Sequence, residues 1–200
     1  MSPVHKIVRR LPVAASITTN YDGCLEMLGT MWASNVLTVK LGGHRGAAEK
    51  DQFFLLRLYG DPRVPADVKL SHKEFAESIK SDPTLGDTLQ ALFDKKTMFF
   101  VGASAEGLVN DLKLMPKIAR STRKHYAVLG VGEGSWEKHV ETLEKQYGIE
   151  SVVCSEETIA AELPKFLDTL ANQIEEARND RSKRGPDMVA LSIKRAASGA

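Results

Sequence analysis

Short continuous apolar runs alternate along the chain with longer stretches whose apolar positions recur at helical spacing. Residues 13–18 form the first run and read as a buried strand, with a short helix over 21–28 behind it. Residues 36–41 and 53–58 are β-leaning runs separated by the glycine- and charge-rich loop 42–51, which predicts a hairpin or two neighbouring strands. Ser71-His72-Lys73-Glu74 fits a capping box, in which the hydroxyl and the carboxylate each satisfy an orphan amide at a helix start. Asp82-Pro83 marks a second start, because Pro suits the first helical turn, and that helix is expected to run to about Phe93.

From Thr97 onward the alternation becomes regular. Strands are predicted over 97–101, 126–131 and 149–154. Helices are predicted over 106–119, interrupted near Pro116, over 136–147, closed by Gly148, and over 163–177 with Pro164 in the first turn. Strand and helix alternating at these lengths imply an α/β fold with a parallel sheet and right-handed crossovers. After Ala177 the chain turns polar and basic, then ends in a weak apolar stretch and small residues, which predicts a flexible tail over 178–200.

Composition narrows the function classes. Two hundred residues with 42% apolar content suffice for one ordinary domain. A net charge of +1 supplies no global field toward nucleic acid or an acidic membrane. The apolar runs are far shorter than a membrane span, and the opening Met-Ser-Pro-Val-His-Lys has no apolar core of signal-peptide type. Cys24 and Cys154 are the only cysteines, which excludes a four-thiolate zinc site built from this chain and gives no disulfide framework. A reducing cytoplasm is the expected compartment.

The candidate chemistry gathers where predicted strands end, the place where open α/β sheets bind ligands. Ile17-Thr18-Thr19-Asn20-Tyr21-Asp22 brings hydroxyls, a carboxamide and a carboxylate to the end of the first run. Asn and Asp are equally the favoured helix N-caps, for reasons unrelated to a ligand. Leu58-Tyr59-Gly60-Asp61 follows another run, and a phenol with a pKa of about 10 is a poor base at neutral pH unless a cation such as Arg57 or Arg63 reaches it. Gly102-Ala103-Ser104 closes a third run, where glycine lets backbone approach a ligand and a hydroxyl can meet a ribose; a plain strand-to-helix turn explains it as well. Gly130-Val131-Gly132-Glu133-Gly134 is a near match to a dinucleotide fingerprint, but its third glycine comes early and Glu133 would repel a pyrophosphate, which favours an ordinary turn. His44 lies in a polar loop and could serve as a base, while His5, His72, His125 and His139 read as surface or helix-face residues without metal-ligand spacing.

Taken in order, these segments resemble the SIR2-like, sirtuin-related family of bacterial NAD hydrolases. Thr18-Thr19-Asn20-Tyr21-Asp22 is similar to the family's Thr-Thr-Asn-Tyr-Asp, Leu58-Tyr59-Gly60 to its Leu-His-Gly, and Gly102-Ala103-Ser104 to its Gly-Tyr-Ser. The resemblance implies a Rossmann-like sirtuin-type parallel sheet with helices on both faces, and an NAD site. It places Asn20 and Asp22, with Thr18 and Thr19, at the nicotinamide-ribose end, and Gly102, Ala103, Ser104 and Gly130 toward the adenosine. It puts Tyr59 where the family carries its catalytic His, so a non-catalytic subunit that binds nucleotide or a partner protein is the competing expectation. Protein-deacylating sirtuins carry a four-Cys zinc module, so two cysteines imply the zinc-free branch, with no metal and NAD as substrate or ligand. Many members of that branch serve in antiphage defence. The family's amino-terminal strand and Gly-Ala-Gly loop have no counterpart before Pro12. The expectation is therefore a partial domain over 1–177 lacking its first βαβ unit, its open sheet edge covered by a second copy or a partner chain, or else a rearranged fold.

Overall fold

The computed structural model describes residues 2–28, 36–38, 46, 53–115, 118, 122–179 and 193. His44 and most of the predicted loop 42–51, the predicted kink at Pro116, and the predicted tail beyond 179 except Ile193 lie outside the described residues. In chain order the elements are α1 (Pro3–Val8), β1 (Ser16–Thr18), a 3-10 turn (Glu26–Leu28), β2 (Val36–Thr38), β3 (Leu55–Arg57) and a second 3-10 turn (Pro65–Asp67). They continue with α2 (His72–Ser81), α3 (Pro83–Lys95), β4 (Phe99–Ser104), α4 (Ala105–Lys113), β5 (His125–Val131), α5 (Trp136–Thr142), a π-turn (Leu143–Tyr147), β6 (Ile149–Ser155) and α6 (Ile159–Asn179). The fold is α/β, and both described three-stranded sheets are parallel throughout. Among the described residues no helix is long and apolar enough to cross a membrane.

The chain divides into two compact units, Pro12–Lys96 with Asn110–Ser121, and Met1–Leu11 with Thr97–Val109 and Thr122–Ala200. In the first unit the strand order is β1-β3-β2, with Ile17 and Leu37 both in register with Leu56. β3 is central, and Leu55 and Leu56 are fully buried, the continuous apolar run expected of a strand covered on both faces. Runs 36–41 and 53–58 are thus neighbours; parallel pairing excludes the hairpin. The capping box at Ser71 and Glu74 is present and starts α2, and Asp82 caps α3 by accepting from the Thr84 amide at 3.0 Å.

In the second unit the order is β4-β5-β6, with β5 buried along almost its whole length. β4 extends to Ser104, past the predicted 97–101, by way of a bulge between Val101 and Ala103 where Gly102 takes φ 79°. Gly148 closes the predicted helix 136–147 in the left-handed conformation, its last turn widened to π. α6 begins four residues before the predicted start, so Pro164 lies inside the helix rather than in its first turn. Arg10, just after α1, donates to Asp168, Asn172 and Glu175, which recur on one face of α6.

His125 opens β5 fully buried, and its Nδ1 accepts from the Met98 amide at 3.1 Å. That bond joins the entry of β4 to β5 and requires an unprotonated Nδ1. His125→Ala removes both the acceptor and a buried ring, and is expected to lower unfolding stability by about 2–4 kcal/mol, as read by denaturant unfolding.

Candidate functional site

The segment after β1 is built around Arg57. Its neighbours on β3 are apolar and buried, and Arg57 itself is only 2% exposed. A buried cation is stable only with its charge paired and its donors used. Arg57 Nε donates to Glu26 Oε1 at 2.9 Å, and Nη2 also reaches that carboxylate. Nη1 donates to the Asn20 carbonyl at 3.1 Å and Nη2 to the Asp22 carbonyl at 2.7 Å. The planar guanidinium thus holds two carbonyls of one loop together with the acid at that loop's end.

This clamp explains why the predicted helix over 21–28 does not form. The Asn20 and Asp22 carbonyls are turned to Arg57 and the Cys24 amide to Asp22 Oδ1, away from the i→i−4 ladder, and helical geometry is confined to the 3-10 turn at Glu26–Leu28. Loop side chains complete the arrangement. Thr18 is buried and its Oγ1 accepts from the Asn20 amide at 3.0 Å, so it shapes the turn from inside. Asp22 Oδ1 accepts from the Cys24 amide at 2.9 Å, and the same carboxylate holds the Cys24 thiol above its usual range. The Asn20 and Asp22 side chains are exposed, and Thr19 is half-buried.

Tyr59 stands beside this loop. Its ring is tilted against Tyr21 with centroids 6.4 Å apart, and meets Phe75 of α2 edge-on at 4.9 Å. Tyr21 is tethered in turn by its hydroxyl, which donates to the Lys69 carbonyl. Tyr59 Oη donates to Asp111 Oδ1 at 2.9 Å. Burial, then this bond and the Asp111 charge, push the phenol far above its usual range, so it keeps its proton at neutral pH. Neither arginine considered from sequence relieves this: Arg57 is spent on the loop and Glu26, and Arg63 forks onto Asp61, whose carboxyl it holds below the usual range. Thr18, Thr19, Asn20, Asp22 and Tyr59 are therefore brought together within one unit.

The other predicted contacts lie in the second unit. Ser104 pairs in register with Gly130, and Ala103 with Leu129. Ser104 Oγ accepts from the Gly107 amide at 3.1 Å, capping α4 as the plain turn reading expects. Gly102 is exposed and a Cβ there would meet no atom within 4 Å, so backbone is open at the bulge. A Cβ on Gly130 would lie 3.2 Å from Ile159 Cδ1, and one on Gly132 would lie 2.8 Å from Glu156 Oε2. Gly130 and Gly132 make room for the Ile159 and Glu156 side chains, the second an acid, which is unlike a pyrophosphate cradle.

Reading the sequence missed Arg57 as an organiser and Glu26 and Asp111 altogether. A cation in the middle of Leu-Leu-Arg-Leu was the available signal for the first, since an apolar strand tolerates it only with partners. Asp111, on a helix remote in sequence, carried none.

A family model described as a SIR2-like domain matches residues 14–152. Among curated proteins none matches the chain.

The turn that carries Tyr59 depends on Gly60. Its φ is 89°, and a Cβ would lie 2.1 Å from the Asp67 carbonyl oxygen. Gly60→Ala is expected to cost more than about 2 kcal/mol of stability, combining left-handed strain with a backbone collision. Thermal unfolding of the variant checks this.

Proposed function

Because this chain belongs to the SIR2-like family, we propose that it binds NAD and hydrolyses it to nicotinamide and ADP-ribose, in the setting of bacterial antiphage defence. The supporting observation is the Arg57 clamp, which fixes the loop of Asn20 and Asp22 while leaving both side chains facing solvent. Cleaving the nicotinamide-ribose bond passes through an oxocarbenium-like state, so the protein must position the ribose and tolerate developing positive charge. Asn20 is assigned to orient the ribose or the attacking water, and Asp22 to hold nicotinamide or its neighbours. Glu26 neutralises Arg57 beneath the loop, so the clamp does not oppose that charge. The exposed backbone at Gly102, with Ser104, is assigned to the adenosine-side ribose. NAD is the substrate, and no metal enters the scheme.

A second reading, a non-catalytic subunit that binds nucleotide or a partner protein, is favoured by Tyr59, whose phenol is held protonated by burial and Asp111. Calorimetry of NAD binding combined with nicotinamide release separates the two. The wild-type chain is expected to turn over, and Asn20→Ala to lose about 100-fold in kcat while binding NAD within about tenfold of wild type. Turnover that survives the substitution would remove Asn20 from the site. Binding without turnover in the wild-type chain would select the second reading.

A further inference from the structure

A third polar side chain approaches the Tyr59–Asp111 pair. His72 Nδ1 lies 3.8 Å from Asp111 Oδ1, the same oxygen that accepts from Tyr59. His72 opens α2, one turn from Phe75, whose ring holds the Tyr59 ring edge-on. One helical turn therefore positions the imidazole and buttresses the phenol. The start of that helix is fixed by its capping box, and Glu74, the nearest carboxylate in sequence, is committed to the Leu70 and Ser71 amides at 2.7 and 3.1 Å. The His72 side chain is 63% exposed, which leaves the imidazole open to exchange protons with solvent.

We propose that Tyr59, Asp111 and His72 form a proton path in which His72 is the terminal base. The proposal rests on the hydrolase reading above and supplies what a phenol alone lacks. As the C1′–N bond to nicotinamide breaks, its electron pair leaves on the nicotinamide nitrogen, and the water oxygen bonds to C1′. The water's proton passes to Tyr59 Oη while the phenol proton moves to Asp111 Oδ1 and on to His72 Nδ1, which releases it to solvent. Charge balances: the pyridinium cation becomes neutral nicotinamide, and the positive charge departs as the proton. Tyr59 hands a proton on without becoming a free phenolate, in keeping with its retained proton. A small rotamer change or one bridging water would span the 3.8 Å separation, and catalytic hydrogen bonds commonly tighten only in the bound complex.

Chemical rescue tests the path. His72→Ala is expected to keep NAD affinity by calorimetry and to lose about 100-fold in kcat for nicotinamide release, with added imidazole restoring at least about tenfold. Asp111→Asn is expected to lose comparable activity that imidazole does not restore, because the link to Tyr59 is itself cut. A His72→Ala chain with wild-type kcat, or a loss that imidazole leaves unchanged, overturns the path while the hydrolase reading stands. A wild-type chain that binds NAD but releases no nicotinamide overturns both.

Discussion

A guanidinium buried in a parallel strand is the constraint around which the candidate site is organised. Arg57 lies between leucines on the central strand of its sheet, where an unpaired charge would cost several kcal/mol. Its positive charge is met by Glu26, and two of its donors by the carbonyls of Asn20 and Asp22. Satisfying the cation and shaping the loop are thus one event. The stop of β1 at Thr18, the irregular path through Asn20 and Asp22, and the late 3-10 turn at Glu26–Leu28 all accompany it.

The same arrangement sorts the loop's polar groups by direction. Backbone carbonyls and the Thr18 hydroxyl face inward, and the Asn20 and Asp22 side chains are left facing solvent. A loop held this way meets a ligand without first losing conformational freedom, which favours binding and positioning. Tyr59, by contrast, is fixed by two aromatic contacts and by Asp111, and burial together with Asp111 moves its ionisation still further above neutral pH. A base at this site would therefore have to be a group other than the phenol.

Much of the frame was legible in the sequence because it rests on local rules. Alternating apolar runs and helical stretches gave the parallel α/β character, Ser71 and Glu74 the start of α2, and Gly148 the end of the π-turn. The errors came where tertiary partners overrode local pattern. Residues 21–28 have helical spacing, but the Asp22 carbonyl and that of Asn20 before it turn to a strand arginine, and Pro164 reads as a helix start although α6 begins at Ile159. The order of the Asn20–Asp22, Tyr59 and Gly102–Ser104 segments along the chain carried the resemblance to the family, a domain model of which matches residues 14–152. The partners reached across long sequence separation, Asp111 for Tyr59 and Glu26 for Arg57, left no local trace.

Amide hydrogen exchange at Asn20 and Cys24, compared between the wild-type chain and Arg57→Lys, tests the clamp most directly. Lysine keeps the charge opposite Glu26 but cannot fork to both carbonyls. The account predicts protected Asn20 and Cys24 amides in the wild-type chain. In the variant their exchange should be at least about tenfold faster, while the amides that pair β1 with β3 are unchanged. Equal protection at Asn20 and Cys24 in both chains would contradict it, since the loop would then hold its shape without the guanidinium.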